Sequence, residues 1–159
     1  MPGFDMRFEG NAARHWFTVR NPLRIFANVA LMVALKYAPP MELKNHAYRL
    51  VLGMKIGSDV AISPDVIFDP IYPELIEIGD GCLLGWGARI FTHECWLDRM
   101  MIRPVKLGRK VFIGGFSVVR PGVTLGDGVF IASNSFVNRS IGKKGVYGGV
   151  PAKQIREKI

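Results

Sequence analysis

Residues Leu107–Val137 read LGRKVFIGGFSVVRPGVTLGDGVFIASNSFV. An aliphatic residue returns every six positions, at Leu107, Ile113, Val119, Leu125, Ile131 and Val137. A second series follows four residues behind each: Val111, Ser117, Val123, Val129, Ser135 and Ile141. Six residues advance about 600° around a helix, so these aliphatics would scatter over its surface and share no buried stripe. Along a strand, residues an even number apart point to one side, so both series face a single interior. Gly108, Gly114, Gly126 and Ala132 follow four of the leading aliphatics, where a sharply turning chain favours small side chains.

Each hexad is therefore a short strand plus a turn, and hexads that bury an apolar face only by stacking form a parallel β-helix. With three hexads per turn, Leu107 stacks with Leu125, Ile113 with Ile131 and Val119 with Val137. The repeat extends upstream, led by Ile56, Ile62 and Phe68 and then by Ile78, Leu84 and Ile90. It breaks at PIYPELIE (70–77) and across CWLDRMMIRPV (95–105), and insertions in a solenoid become loops on one face, often the binding face.

The first 55 residues lack hexads and read as helical. Asn21 caps a helix that has Pro22 at its first position and stops at Pro39 and Pro40, and MELKNHAYRLVLG forms a second helix ending at Gly53. The expected organisation is a helical annex at 1–55, a mainly β solenoid at 56–150 with an inserted loop around 94–105, and a short C-terminal helix or tail at 151–159. The first helix is apolar nearly all round, which implies burial against the β-helix or a neighbouring subunit. Its basic flanks, Arg14, Arg20, Arg24, Lys36, Lys44 and Arg49, leave peripheral contact with an anionic membrane as a second option. The apolar run is too short to span a bilayer and begins too late for a signal peptide.

The 159 residues are 49% hydrophobic and 21% charged, a balance that suits one soluble domain. Two cysteines make no disulfide framework, so a reducing, cytoplasmic setting is expected; Cys82 falls on an inward hexad position, and Cys95 is also read as a packing residue. The formal charge of +8 favours an anionic partner such as a phosphorylated cofactor. No zinc spacing, RNA-binding aromatic motif or helix-turn-helix pattern supports nucleic acid.

His93 is the only histidine in the repeats, three residues after Ile90 and just before the longer break. Its ordinary pKa lies near neutrality, so on a rigid scaffold beside an insertion it is a candidate general base. Glu94 could orient it, although neighbours on a strand point to opposite sides. Asp69, about one coil earlier, could stack closer to His93 if the residues before Ile78 loop out; it also suits a turn. His15 and His46 lie in the annex without chemical company.

The hexad run, His93 before an insertion, RPGVTLGDGVFIASNSFV (120–137) and GGVPAKQIR (148–156) resemble the hexapeptide-repeat acyltransferases. They resemble in particular the branch of maltose, galactoside and nodulation-factor O-acetyltransferases and xenobiotic acetyltransferases. It covers residues 56–156. It implies a left-handed parallel β-helix assembled as a homotrimer, with acetyl-CoA as acyl donor in grooves between subunits and no metal. By that similarity His93 deprotonates a hydroxyl or amine of a small acceptor, and Gly114 and Gly115 offer amides to the thioester oxygen. Ala132 and Ser133, in a turn that extends through Asn134 and Ser135, meet pantetheine, while Lys153 and Arg156 in the run from Pro151 and Ala152 meet the phosphate end. The chain departs from the family at Phe112, where Trp is frequent, and at Phe116, where Asn is common. Asn138, Arg139 and Ser140 replace the usual TKD, and GVPAK replaces GNPAK.

Three other readings compete. A γ-class carbonic anhydrase would share the β-helix but needs several histidine ligands, and the coils hold one. A scaffold without catalysis predicts no acyl-CoA binding. An acetyltransferase acting on a membrane-linked glycan would use the N-terminal helix to approach its acceptor.

Overall fold

The computed structural model describes residues 3–37 and 41–157. A strand, β1 (Phe4–Arg7), and three helices, α1 (Trp16–Val19), α2 (Pro22–Leu35) and α3 (Met41–Val51), precede the repeats. Asn21 caps α2 through a 2.9 Å hydrogen bond from the Leu23 amide, with Pro22 at the first turn. The expected stop at Pro39 and Pro40 lies outside the described residues.

Three strands then make each rung. The first rung is β2 (Lys55–Ile56), β3 (Ala61–Ile62) and β4 (Ile67–Phe68), and the second is β5 (Ile76–Ile78), β6 (Leu83–Leu84) and β7 (Arg89–Ile90). After an excursion through β8 (His93–Cys95) and β9 (Arg99–Ile102), the third rung is β10 (Val105–Leu107), β11 (Phe112–Ile113) and β12 (Val118–Val119). The fourth is β13 (Thr124–Leu125), β14 (Val129–Ile131) and β15 (Phe136–Val137), followed by β16 (Gly145–Gly148) and β17 (Lys153–Arg156).

Corresponding strands of successive rungs pair in parallel and build three faces. Ile56, Ile78, Leu107 and Leu125 stack on the first face. Ile62, Leu84, Ile113 and Ile131 stack on the second, and Phe68, Ile90, Val119 and Val137 on the third. All are buried, as are Val111, Val123 and Val129 of the trailing series. Each such side chain contributes about 1.5–3 kcal/mol relative to its exposed state. The inward serines complete a polar seam: Ser117 and Ser135 both donate to the Ala132 carbonyl, at 2.9 and 2.6 Å. Cys82 is buried as expected, with Sγ 3.0 Å from the Gly108 carbonyl oxygen, and burial pushes its thiol pKa up.

The small residues after the leading aliphatics serve close approach between rungs. A Cβ on Gly114 would stand 2.3 Å from the Ser133 nitrogen. The turning itself falls two residues later. There Asp59, Asp65, Gly81, Gly87, Lys110, Phe116, Gly122, Gly128 and Asn134 have positive φ.

Both ends of the stack are covered. On α3, Tyr48 meets Phe68 edge-on at 5.6 Å, and Arg49 donates to the Ile56 and Gly57 carbonyls on the open edge of the first rung. At the far end β16 continues the second face and β17 folds back antiparallel, so Lys153–Arg156 is a strand in place of the expected helix or tail.

The two breaks in the repeat are structured. Residues Pro73–Leu75 form a 3-10 turn. The second insertion, read as a loop, is an antiparallel hairpin of β8 and β9, with β1 as its third strand. Alternating hydrophobicity explains the difference: Met100 and Ile102 are buried in a cluster with Val19, Ile25, Ile71 and Leu75, so the insertion has its own small core. The annex is thus tied to the hairpin by a strand as well as packed by helices. Among the described residues no helix is long and apolar enough to cross a membrane.

Candidate active site

After Ile90 the third face continues for one residue, with the Phe91 amide donating to the Val119 carbonyl at 3.1 Å. The next two amides have no carbonyl of the neighbouring rung to meet, because the chain departs into the hairpin. Both turn to one carboxylate: the Thr92 and His93 amides donate to Asp69 Oδ2 at 2.8 and 2.9 Å. Asp69 follows Phe68, which pairs with Ile90, so rung stacking brings the aspartate beside the departing chain.

The same oxygen lies 2.5 Å from His93 Nδ1. Asp69 Oδ1 accepts from the Ile71 and Tyr72 amides at 2.8 and 3.3 Å, so the aspartate is a turn carboxylate as well as the histidine's partner. It is fully buried. Burial by itself pushes its carboxyl pKa up, but the hydrogen bond and charge of His93 and the Thr92 and Ile71 amides outweigh that and hold it below its ordinary value. An ionised carboxylate only accepts, so Nδ1 donates the shared proton, and in the neutral ring the lone pair lies on Nε2. The His93 side chain remains 23% exposed, whereas its Asp69 partner is wholly enclosed.

Glu94 points elsewhere. Its Oε2 pairs with Arg120 Nε at 2.6 Å, joining the hairpin to the turn after β12, and no hydrogen bond links it to His93. Three supporting residues, Thr92, Tyr72 and Arg120, lie outside the candidates read from the sequence. Thr92, fully buried, donates its hydroxyl to the Tyr72 carbonyl at 3.1 Å, and Tyr72 reaches the Val19 carbonyl at 2.8 Å. The signal available for Thr92 was its place between the inward Ile90 and the break. For Arg120 it was the position directly after Val119. Cys95 is exposed, two residues along β8.

The remaining candidates lie on another corner. Gly114 and Gly115, and above them Ala132 and Ser133, occupy the turn between the second and third faces, with the Asn134 amide donating to the Gly115 carbonyl at 2.9 Å. Gly148 packs against the Ala132 side chain, and its strand partner Lys153 and the nearby Arg156 are exposed on β17. The third face separates this line from the His93–Asp69 pair of the same chain. No group of three His, Cys, Asp or Glu side chains among the described residues could hold a metal.

The family described as "Bacterial transferase hexapeptide (six repeats)" matches residues 104–139. A protein of Staphylococcus aureus (strain MRSA252), provisionally named an acetyltransferase, is 36% identical over 128 residues, covering 80% of each chain. Among solved structures, a maltose O-acetyltransferase from Clostridium difficile 630 superimposes with a TM-score of 0.68 at 20% identity, covering 96% of this chain and 94% of that one. A hexapeptide-repeat acetyltransferase of Vibrio cholerae O1 biovar eltor, complexed with acetyl coenzyme A, gives a TM-score of 0.66 at 20% identity over 93% and 91%.

Proposed function

The chain belongs to the hexapeptide-repeat acetyltransferases, and from that premise we propose that it moves an acetyl group from acetyl-CoA to a hydroxyl of a sugar or other small acceptor, with His93 as general base. The carrying observation is the His93–Asp69 pair, a partly exposed imidazole fixed by a buried carboxylate. Asp69 holds the tautomer and offsets the positive charge that the ring acquires. The acceptor hydroxyl gives its proton to Nε2 as its oxygen bonds to the thioester carbonyl carbon. When the carbon–sulfur bond breaks, the imidazolium returns that proton to the departing thiolate. A neutral amine acceptor follows the same course, giving one proton to Nε2 and keeping the other in the amide product.

In this reading the donor runs along the turn line of Ala132, Ser133, Gly114 and Gly115, where amides can face the thioester oxygen. Lys153 and Arg156 meet its phosphate end. A full face lies between that line and His93 of the same chain, which supports a homotrimer of left-handed β-helices in which one copy's turn line faces the next copy's base. The annex at 1–55, the solenoid at 56–150 and the tail at 151–159 then act as end cover, catalytic body and cofactor clasp. The free thiols of Cys82 and Cys95 agree with a reducing, cytoplasmic setting.

The test is acetyl transfer from acetyl-CoA to a panel of hydroxyl and amine acceptors, read by mass spectrometry for the parent and His93→Ala. The variant should remain folded and sediment as the parent does, with transfer lowered about a hundredfold or more. Equal turnover by both would remove His93 from the chemistry.

A further inference from the structure

At the turn between the second and third faces, the left-handed position passes through Asp65, Gly87, Phe116 and Asn134 in successive rungs. Asp, Gly and Asn are the residues that tolerate this conformation, whereas a phenylalanine at φ 58° is an outlier. The strain brings no burial in return, since Phe116 is 53% exposed. Its ring lies over Gly87, close enough that a Cβ there would come within 2.8 Å of two ring carbons, and its amide donates to the Trp86 carbonyl at 2.8 Å. Trp86 is itself 48% exposed and meets Tyr37, 63% exposed, at 6.3 Å with rings inclined by 48°.

The three aromatics thus form an open ridge along one corner. Polar groups rim it: Lys36 pairs with Asp65 and stands 5.3 Å from the Tyr37 ring centre, and Asn134 follows Phe116 on the next rung. Strained residues persist where the surrounding structure holds them for a purpose. Flat apolar faces beside charged and amide hydrogen-bonding groups suit a ring that has an apolar face and a polar edge, the chemistry of a pyranose.

We infer that Tyr37, Trp86 and Phe116 are the surface on which a saccharide acceptor stacks its ring. The inference deepens the proposed acetyl transfer and rests on it for direction: the turn line assigned to the donor runs through Ser133 and Gly115, and Trp86 is the next rung along. Phe116 is then a specificity-determining residue for the acceptor.

Binding is tested apart from turnover with a glycan array of neutral and acidic pyranose oligosaccharides, probed with full-length His93→Ala and with the same chain also carrying Phe116→Asn. The first chain should be retained by a subset of the glycans. Phe116→Asn should weaken that retention about five- to tenfold, the scale of one aromatic contact, while its melting temperature stays level or rises because asparagine accepts the left-handed turn. Trp86→Ala should weaken the same glycans. Failure to retain any glycan, or equal retention by both chains, would overturn the inference. So would dissociation of the oligomer by Phe116→Asn, which would make the ridge a subunit contact, or an effect confined to acetyl-CoA affinity. The two readings separate cleanly: glycan binding lost in the variant, with no acetyl transfer by the parent, refutes only the acetyl-transfer reading. Transfer to a small amine without glycan binding refutes only the ridge.

Discussion

The turns after Val119 and after Ile90 start from paired strands and end differently. After Val119 the Arg120 amide meets the Val137 carbonyl at 3.0 Å, Gly122 takes a φ of 81°, and the chain enters the next rung. After Ile90 the residue three places on is His93, which heads a hairpin strand, and the two amides freed there are collected by Asp69. The regular turn stabilises the stack with backbone alone. The irregular one exchanges backbone partners for a buried carboxylate, and that carboxylate also fixes an imidazole. Interrupting the repeat therefore creates a hydrogen-bonding problem whose solution is the candidate site.

The sharpest way to break this contrast is to attack the regular part. Ile113 is fully buried between Leu84 and Ile131, so Ile113→Asp should abolish cooperative folding by placing an unpaired charge in the stack. A thermal melt matching the parent's would mean that the rungs do not rely on this stacking.

The irregular part is probed by Asp69→Asn, which leaves the volume but removes the charge and half of the acceptor capacity. Replacing the charged acceptor of these hydrogen bonds should destabilise by about 1.5–3 kcal/mol near neutral pH. The folded-state pKa of Asp69 is depressed, so its stabilisation is full above the ordinary carboxylate value of about 4 and fades as pH falls through the lower folded value. Parent and variant melting temperatures should accordingly converge in acid. A gap independent of pH would show that shape, not charge, is what Asp69 contributes.

Lys153→Ala with Arg156→Ala sharpens the comparison from outside both turns. The KM for acetyl-CoA should rise about ten- to a hundredfold with little change in melting, and acetyl-pantetheine, which lacks the nucleotide, should be affected less. Equal weakening of both donors would assign β17 a shaping role instead. The smallest effect is expected at Gly122→Ala, where the left-handed turn and a neighbour at 3.3 Å, the Arg103 Cβ, should cost about 1–2 kcal/mol. His93, which has left that conformation, carries no comparable constraint.

Much of this architecture was legible in the chain itself. Period-six aliphatics specify three stacked faces because strand side chains alternate strictly, and a one-residue slip would expose the whole series. Asn21 and Pro22 likewise announced the start of α2, since capping is a local matter of one side chain and one amide. The nearness of Asp69 to His93 followed conditionally, once the residues before Ile78 were allowed to loop out. The hairpin did not follow, because its third strand comes from Phe4–Arg7, and pairing across so many residues leaves no local signal. Nor did the engagement of Glu94 by Arg120, or the strain at Phe116, where a hexad repeat marks a turn but not the φ each residue must adopt. Periodicity, a property of neighbours in the chain, determined the coil by itself. Only tertiary structure could decide which polar groups met once the coil was interrupted, because those partners come from different rungs and are chosen by the need to satisfy amides withdrawn from water.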